Sequence, residues 1–544
     1  MGKSAVASTS AGSAGDVIGR GTWLDKVAND ALAREKTLGR KLKVVRVESG
    51  LGASGIPHIG SVGDAIRSFG IKMALETAGY NSELIAYSDD FDGLRKVPAG
   101  FPSWLKSYIA HPVSRIPDPF DCHASYAEHV GFLLRDSLDK LGIQYTFQSG
   151  AEAYKSGLLN EQIRLILSHS KSIGQKINEL VGQSKYEENL PYTPVCEQCD
   201  RIYTTRSFSF HSKTDSVHYK CEGTELGDKF LKGCGYEGDA KISEGNGKLM
   251  WKVEFAARWA ALDIRFEAYG KELTDSVRIN DWVAEHTLGY PPPSHARYEL
   301  FQDKSGRKIS KSVGNLVTPK EWLEYASPES LRLLMYKRIV GARSVSLEDV
   351  PVYMEDFDDL EEHYFAKAKD QNPMKEAKLR GLYEYTMLLK VPSVKGLHVP
   401  YRLLTQLAAV APKGAEAVDY VAKRLVAYGM VKASTPELVK RISWAAKWAG
   451  REARPTSVHI ELSPSTKAAI THFAAAIEKL GDAESIQNAA FQSIKQGGLR
   501  PSDFFPAVYT ILLGSDRGPR LGPYVVDSGP AAVSRALIEA VASS

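Results

Sequence analysis

Residues 43–60 read KVVRVESGLGASGIPHIG, and this stretch decides the fold class. Residues 43–48 predict a β-strand, and residues 49–55 predict a glycine-rich turn. The apolar pattern over about 60–78 predicts a helix, and residues 83–88 predict a second strand. Because a strand, a crossover helix and a second strand form a βαβ unit, the sequence predicts a parallel sheet.

The α/β pattern continues along the chain, is interrupted once, and then gives way to helices. A further helix carries Leu133 and Leu138, and residues 143–147 predict another strand. From about 191 to 246, cysteines, aromatic residues and glycines replace the periodic pattern, which resumes over about 248–340. Three later segments are rich in alanine and leucine and predict helices: 415–431, 436–449 and 467–480. We therefore predict an α/β domain with an insertion, followed by an all-helical domain.

Composition excludes several classes of protein. The chain has 544 residues, 43% hydrophobic and 25% charged, with a formal net charge of +4, as in globular and not disordered or fibrous proteins. No run reaches the roughly 18 apolar residues of a membrane-spanning helix, so we expect no membrane insertion. Residues 1–21 lack the apolar core of a signal peptide and predict a disordered extension. Five cysteines are too few for a disulfide framework, which favours a reducing, cytoplasmic location.

Residues 57–61, Pro-His-Ile-Gly-Ser, lie where the first predicted strand gives way to the first helix. A phosphate at this position would meet unpaired N–H groups and the positive end of the helix dipole. Gly60 would let a nucleotide approach the backbone, and His58 can donate a hydrogen bond to charge developing on a phosphate. The stretch contains neither GxxxxGK[ST] nor GxGxxG, which disfavours a P-loop NTPase and a standard dinucleotide fold. Alone, the pattern also fits a helix start with an incidental histidine.

Residues 303–312, DKSGRKISKS, form a second candidate phosphate site. Lys308 and Lys311 stand three residues apart in a glycine-containing loop, with the hydroxyls of Ser310 and Ser312 beside them. Two cations on a loop suit the triphosphate of ATP, where charge builds on the α-phosphate and the departing pyrophosphate. A run of this kind is usually a solvated loop, so its meaning depends on the His-Ile-Gly stretch upstream.

Four of the five cysteines fall in one segment: Cys196, Cys199, Cys221 and Cys234. The Cys-x-x-Cys spacing of the first pair suits one tetrahedral zinc ion, and the second pair reads as a knuckle split by inserted residues. Such a site would be structural, in a segment (191–246) too polar to build its own core. The alternatives are a ribbon that has lost its metal, or one that uses His211 or His218. Cys122 is left over and is predicted to be a buried thiol.

Two further groups of side chains suit a pocket for a cation. Residues 88–95, SDDFDGLR, follow the second strand, at the sheet edge where α/β proteins bind ligands. Their carboxylates, which include Asp90 and Asp92, suit an amino group, a basic side chain or Mg²⁺, although a polar turn is an equal alternative. Trp251 and Tyr298 supply rings that attract a cation.

The all-helical end of the chain is basic. Residues 391–544 contain 18 Lys and Arg against 12 Asp and Glu, which weakly favours an anionic partner such as nucleic acid. Trp444 and Trp448 stand one helical turn apart beside Lys440 and Lys447. Rings beside cations suit unstacked RNA bases, but a tryptophan pair at this spacing more often packs between helices.

The His-Ile-Gly stretch and the lysine loop together resemble the HIGH and KMSKS motifs of class I aminoacyl-tRNA synthetases, with Ser61 where the second histidine of HIGH would stand. The narrower resemblance is to class I lysyl-tRNA synthetase, from about residue 23 to the C-terminus. It rests on the Asp-Asp-Phe-Asp-Gly-Leu-Arg stretch, the Trp251–Trp259 block, the split cysteine segment and the helical end. The chain departs from that family at residues 270–273, which read GKEL where GKDH is expected.

This resemblance implies a Rossmann-type α/β catalytic domain with a zinc-ribbon-like insertion, followed by an all-α anticodon-binding domain. The extension would comprise residues 1–21, and the catalytic domain residues 22–345 with an insertion at about 150–247. A connecting helical region would span 346–390, and the anticodon-binding domain 391–544.

The implied reaction is lysine–tRNA ligation. The carboxylate of lysine attacks the α-phosphate of ATP, bound with Mg²⁺, and the resulting lysyl-adenylate passes lysine to the 2′-OH of the terminal adenosine of tRNA(Lys). No protein nucleophile is needed, because positioning and charge stabilisation supply the catalysis. The implied partners are lysine, ATP and tRNA(Lys), not DNA or a membrane, with Zn²⁺ as a structural ion.

The residues expected to act follow from the same resemblance. Catalysis is assigned to His58, Gly60, Ser61, Lys308 and Lys311. ATP contacts are assigned to Pro57, His58, Gly60, Lys308, Ser310, Lys311 and Ser312. The lysine pocket is assigned to Asp90, Asp92, Trp251 and Tyr298, and zinc to Cys196, Cys199, Cys221 and Cys234. The alternatives are another class I synthetase of the glutamyl or cysteinyl type, and a catalytically dead zinc-ribbon protein that binds RNA.

Overall fold

A computed structural model of the chain divides into two compact units. The first unit comprises Met1–Pro319, Arg332–Val345 and Ala366–Val391, and the second Lys320–Leu331, Ser346–Phe365 and Pro392–Ser544. The structure describes residues 17–53, 55–227, 229–307, 317–367, 370–411, 416–451, 462–513, 516 and 518–543. Within those ranges, no helix has both the length and the apolar composition that crossing a bilayer requires.

Strands and helices are numbered in chain order. The strands are β1 (Val45–Leu51), β2 (Ser82–Ser88), β3 (Thr146–Ser149), β4 (Tyr192–Pro194), β5 (Thr205–His211), β6 (Ser216–Cys221), β7 (Gly223–Leu226), β8 (Lys229–Lys232), β9 (Glu237–Lys241), β10 (Gly247–Leu249), β11 (Ile264–Gly270), β12 (Ser294–Tyr298), β13 (Phe301–Gln302) and β14 (Arg343–Ser344). The helices are α1 (Trp23–Thr37), α2 (Ile59–Thr77), α3 (Tyr126–Lys140), α4 (Gly150–Lys155), α5 (Asn160–Ser168), α6 (Ser170–Val181), α7 (Lys185–Glu188), α8 (Trp251–Leu262), α9 (Thr274–His286), α10 (Pro319–Tyr325), α11 (Pro328–Tyr336), α12 (Val350–Phe365), α13 (Pro373–Thr386), α14 (Tyr401–Val410), α15 (Glu416–Ala427), α16 (Pro436–Ala449), α17 (Pro464–Ile477), α18 (Ala483–Gln496), α19 (Pro501–Leu513), α20 (Leu521–Ser528) and α21 (Pro530–Ser543). Short 3₁₀-helices span Ser103–Tyr108, Val113–Arg115, Ile242–Glu244, Lys271–Leu273 and Leu347–Asp349.

A five-stranded parallel sheet, in the order β12–β11–β1–β2–β3, forms the centre of the first unit and confirms the predicted α/β core. The strands of a parallel sheet with helices on both faces are buried on both sides, as β1 and β11 are here. From β1 the chain builds the sheet through β2 and β3 in one direction and through β11 and β12 in the other. This change of direction opens a crevice at the carboxyl ends of β1 and β11, where α/β proteins bind ligands.

The first predicted βαβ unit corresponds closely to β1, α2 and β2. The helix predicted over about 60–78 begins at Ile59 and ends at Thr77. The strand predicted over 143–147 instead begins at Thr146. The turn that follows α3 includes Gly142, with φ of 70°, and the next three residues are irregular and lead into the strand.

The cysteine-bearing segment lies between β3 and β11 in the chain. Helices α4–α7 come first, followed by three small antiparallel sheets among the described residues: β4–β10, β5–β6–β9 and β7–β8. Because β4 pairs with β10, the first and last strands of this segment lie side by side. Helix α8 then leads back into the central sheet at β11.

The second unit consists largely of helices α12 and α14–α21. The predicted helix at 436–449 is α16, and its N-cap Thr435 accepts a hydrogen bond from the backbone N–H of Leu438. The helix predicted over 467–480 is α17, which begins earlier because Ser463 caps it and Pro464 occupies its first turn. These helices bury apolar faces that include Leu407, Ile442, Ile470, Phe473 and Leu537.

Candidate active site

The first turn of α2 carries the His-Ile-Gly stretch. His58 is the N-cap, and its backbone N–H donates to the hydroxyl of Ser61 (N to Oγ 3.4 Å), so the two residues cap the helix reciprocally. A Cβ at Gly60 would lie 2.8 Å from the imidazole Cε1 of His58, so any other residue there would displace the ring from the helix start. Pro57 is buried just before this turn.

The described residues that flank the predicted lysine loop contact the same helix. Its candidate residues, Lys308, Ser310, Lys311 and Ser312, lie outside the described residues. The residues on either side of the loop are described. The N–H of Ile59 donates to the carbonyl of Val317 (2.9 Å), and the guanidinium of Arg67 on α2 lies 5.5 Å from the ring centroid of Phe301. The chain before and after the loop is therefore held against α2.

The three aspartates after β2 have different surroundings. The backbone N–H of Asp89 donates to the last carbonyl of β1 (3.0 Å), which places this residue beside the crevice. Asp90 is buried, and its Oδ1 accepts the N–H of Ala151 (2.7 Å), so it fixes the start of α4. The carboxylate of Asp92 forms an ion pair with Lys248.

Arg258 on α8 lies at the centre of one group of carboxylates. Its Nη2 is 2.5 Å from Oε1 of Glu48 and 3.5 Å from Oε1 of Glu267. Its Nη1 is 3.3 Å from Oδ1 of Asp89. Glu48 and Glu267 occupy paired positions on β1 and β11, so two neighbouring acids share one guanidinium. The ring of Tyr87 covers Arg258, with 4.3 Å from Cζ to the ring centroid.

Lys248 on β10 is shared by a second pair of carboxylates. Its side chain is 4% exposed, and its Nζ lies 3.1 Å from Oε2 of Glu254 and also pairs with Asp92. The hydroxyl of Tyr154 donates to Oε1 of Glu254 (2.8 Å) and accepts the N–H of Leu249 (3.0 Å). The lysine and its partners are therefore enclosed and held from several directions.

Five carboxylates thus share two cations among the described residues: Glu48, Asp89, Asp92, Glu254 and Glu267, with Lys248 and Arg258. Burial, partly offset by Arg258, raises the pKa of Glu48 to about 8 and that of Asp89 to about 7. Burial alone would lower the pKa of Lys248, but the surrounding carboxylates hold that pKa well above its ordinary value. An uncompensated surplus of buried carboxylates favours a positively charged ligand.

The two predicted rings have different surroundings. Trp251 begins α8 and packs on Phe255, with ring centroids 5.8 Å apart. Its indole Nε1 is buried without a hydrogen-bond partner among the described residues, so this donor remains for a ligand. Tyr298 ends β12 at the same sheet edge, and its ring already receives the guanidinium of Arg67 at 4.4 Å.

The four clustered cysteines lie close together in the cysteine-bearing segment. All four sulfur atoms lie within 4.8 Å of one another, with 3.6 Å between Cys196 and Cys234 and 3.7 Å between Cys199 and Cys221. A tetrahedral zinc site with Zn–S bonds of about 2.3 Å requires sulfur atoms about 3.8 Å apart. The cysteines are free of disulfides, so the donor set and spacing fit one zinc ion.

A second group of metal-binding side chains was missed in the sequence. Asp118, Cys122, His123 and His129 each offer a ligand atom within 4.8 Å of the others. Sγ of Cys122 lies 3.1 Å from Nδ1 of His123 and 3.2 Å from Nδ1 of His129. The prediction that Cys122 is a buried thiol is wrong, because this residue lies exposed on the turn before α3, beside both histidines.

Sequence reasoning also missed Lys248, Arg258, Glu48 and Glu267. A signal was present, because each of these charged residues stands within a stretch whose pattern is that of a buried element. Helix α8 is buried over most of its surface and still carries Arg258, and β1 and β11 carry Glu48 and Glu267 among apolar residues. Charged residues are almost never fully buried unless they are paired.

Comparisons with known proteins agree on one family. Residues 21–388 match the family model described as tRNA synthetases class I (K). A lysine–tRNA ligase from Cenarchaeum symbiosum is 49% identical, covering 94% of this chain and 97% of that protein. A lysine–tRNA ligase from Methanocaldococcus jannaschii is 30% identical, covering 93% of this chain and 97% of that protein. A solved glutamate–tRNA ligase from Elizabethkingia meningosepticum, at 13% identity over 92% of this chain and 99% of its own, has a TM-score of 0.32, too low to bear on fold or substrate. The chain belongs to the class I lysyl-tRNA synthetase family.

Proposed function

We propose that the chain is a lysine–tRNA ligase. It activates lysine with ATP and Mg²⁺ to lysyl-adenylate and pyrophosphate, then transfers lysine to the 2′-OH of the 3′-terminal adenosine of tRNA(Lys). The observation that carries this proposal is the buried surplus of carboxylates on and beside β1, the strand that precedes α2. Lysine carries two ammonium groups, and their positive charge would compensate these carboxylates.

The amino-acid pocket is best assigned to the carboxylates that share Arg258. Asp90 holds the start of α4 and Asp92 is paired with Lys248, so Asp89 is the aspartate of the turn with the least complete pairing. We assign the substrate's ammonium to Asp89. We assign Trp251, whose indole N–H has no partner among the described residues, as a ring of this pocket. The sequence-based assignments of Asp90, Asp92 and Tyr298 stay predictions.

ATP is assigned to the first turn of α2 and to the lysine loop. Helix N-termini bind phosphates through unpaired N–H groups, and His58 adds a hydrogen-bond donor there. The hydrogen bond between Ile59 and Val317 holds the chain just after the loop at this helix start, which supports assigning the loop to the same phosphates. Lys308 and Lys311 would then neutralise charge developing on the α-phosphate and pyrophosphate, with Ser310 and Ser312 as further donors.

Two zinc ions are assigned to the first unit. The cluster of Cys196, Cys199, Cys221 and Cys234 would hold a structural ion, which supports reading this segment as a zinc ribbon. The group of Asp118, Cys122, His123 and His129 has a mixed donor set that also suits zinc. Each ion would cross-link a polar segment and contribute to its folding.

The tRNA is assigned to the second unit, with residues 391–544 as the anticodon-binding domain. One face of α16 supports this assignment: the Nζ of Lys440 lies 5.1 Å from the ring centroid of Trp444, and Lys447 is exposed farther along. An open groove of about 470 Å³ is lined by Glu324, Tyr325, Lys447, Gly450 and Arg451. Cations interleaved with rings suit single-stranded RNA.

The alternatives are weaker on specific grounds. A glutamyl-type synthetase needs a cation for its substrate's carboxylate, whereas Arg258 already serves three acids. The test is charging of total tRNA with each amino acid in turn: lysine alone should be attached. Charging with glutamate or cysteine would contradict the assignment of lysine as the substrate. No charging at all would favour a catalytically dead protein that binds RNA. The cytoplasmic location stays a prediction.

A further inference from the structure

Lys248 has an unusual place for a lysine, because its side chain is 4% exposed. It belongs to β10, the last strand of the cysteine-bearing segment. Its ammonium pairs with Asp92, on the turn after β2, and with Glu254, on the first turn of α8. One Nζ atom therefore joins the turn after β2 to the consecutive elements β10 and α8.

The backbone around Lys248 is held on both sides. The hydroxyl of Thr193 on β4 donates to the carbonyl of Lys248 (3.2 Å). The N–H of Leu249 donates to the hydroxyl of Tyr154 (3.0 Å), which in turn donates to Glu254 (2.8 Å). Tyr154 thus connects the strand that carries the ammonium to one of its two carboxylates. The position of the ammonium is therefore set by contacts within the protein itself.

The ammonium of Lys248 is the same chemical group as the end of the proposed substrate's side chain. Without it, Asp92 and Glu254 would be uncompensated buried carboxylates and would compete for the substrate's ammonium. With it, both are paired, and the carboxyl groups left with incomplete pairing are those that share Arg258.

We propose, resting on the function proposed above, that Lys248 is a positioning residue whose resident ammonium fills one half of the acidic site and so directs the substrate's ammonium to Asp89. Lys248 acts through Asp92 and Glu254 and does not touch the reacting atoms. The selectivity for lysine would then depend on a residue of the inserted segment as well as on the central sheet.

The first test is Lys248→Met, which keeps the length of the side chain and removes its charge. In aminoacylation assays of the full chain with tRNA present, we expect the KM for lysine to rise about 100-fold. The uncompensated carboxylates of Asp92 and Glu254 would then compete with Asp89 for the substrate's ammonium. The KM for ATP should stay within about twofold, since the phosphate-binding turn is untouched. The matched control is Lys252→Met, a half-buried lysine on α8 whose Nζ bonds the hydroxyl of Ser276 (3.3 Å). This control should leave both constants unchanged.

The second test is chemical rescue of Lys248→Ala. Propylammonium or butylammonium ions should enter the vacated space and restore the KM for lysine by about tenfold or more. Tetramethylammonium at the same ionic strength should not, because it has no N–H to donate. A merely structural lysine would instead change kcat and both KM values together, without selective rescue. That result, or a wild-type KM for lysine in Lys248→Met, overturns the proposal.

If the single variants do not fold, Lys248→Met combined with Asp92→Asn removes opposite charges together. This double variant should fold, and its KM for lysine should be about tenfold or more above that of Asp92→Asn alone, because Glu254 is left without its ammonium partner. Equal KM values in the two would overturn the proposal. Wild-type protein that charges no tRNA with lysine would instead overturn the proposed function, so the two failures are distinguishable.

Discussion

Ile59 and Val317 are joined by a backbone hydrogen bond, in which the N–H of Ile59 donates to the carbonyl of Val317 at 2.9 Å. Ile59 is the first residue of α2, and Val317 follows the lysine loop. The first N–H groups of a helix have no partner within the helix, so this bond uses one of them to hold the loop's exit. Two segments far apart in the chain thereby meet at the start of α2, where we propose that phosphate binds.

The loop assignment predicts the effect of removing its second lysine. Lys311→Ala should slow lysine-dependent pyrophosphate exchange by about two to three orders of magnitude, as expected when one preorganised charge contact of about 3–4 kcal/mol is lost. Lys308→Ala should cost less, because that lysine is assigned to pyrophosphate oxygens farther from the reacting centre. Arg307→Ala is the matched control, since Arg307 already pairs with Asp303. Near-normal exchange in Lys311→Ala contradicts the assignment.

The pocket assignment predicts that Asp89→Asn raises the KM for lysine by about two to three orders of magnitude. Loss of a buried counter-carboxylate costs about 3–5 kcal/mol, because the ammonium is left unpaired. The KM for ATP should barely change. Asp136→Asn, on the exposed side of α3, serves as the control and should match wild type. An unchanged KM for lysine in Asp89→Asn would move the pocket away from this turn.

The raised pKa of Glu48 predicts a pH-dependent stability. Folding raises the pKa of this carboxyl from about 4.5 to about 8, mainly through burial, so between those values the folded chain binds a proton that the unfolded chain has released. Its contribution to stability is therefore present below about pH 4.5 and is lost as the pH rises toward 8. Urea unfolding should show Glu48→Gln gaining stability relative to wild type from pH 5 to pH 8. A constant difference across that range contradicts the prediction.

The two metal-binding groups predict about two equivalents of zinc per chain by elemental analysis. Cys196→Ser should lose one equivalent and loosen the cysteine-bearing segment. His129→Ala should lose the other and leave the first in place. Protease digestion of the two variants should cut different segments. If either variant retains both zinc ions, the substituted residue is not a zinc ligand.

The basic face of α16 predicts a defect in tRNA affinity. Trp444→Ala should weaken binding of tRNA(Lys) by about 1–3 kcal/mol if a base stacks on this ring. Lys447→Ala should reduce the slope of log affinity against log salt concentration by about one. Lys479→Ala, an exposed lysine just after α17, is the control. Filter binding with unchanged affinity in both variants would place the RNA elsewhere.

Much of the fold followed from local patterns. The βαβ start, the parallel sheet and the helix at 436–449 depend on periodicity, caps and turn residues that are adjacent in the chain. The start of β3 was misplaced because three irregular residues follow the turn at Gly142, and the apolar pattern does not reveal where that irregular stretch ends. The exposure of Cys122 was also misjudged, because this residue lies in a bend before α3 and contacts His129, seven residues later in the chain.

The sequence by itself determined the class of this protein, because the residues that define it stand in short motifs: Pro-His-Ile-Gly-Ser at a helix start, a loop with two lysines, and Cys-x-x-Cys. Only the tertiary structure decided which carboxylates share which cation. Glu48, Asp89, Lys248, Arg258 and Glu267 come from separate strands, turns and helices, and each reads alone as an isolated charge. Ion pairing depends on distances of a few ångströms, and those distances are set by strand register and helix packing, which join residues far apart in the chain.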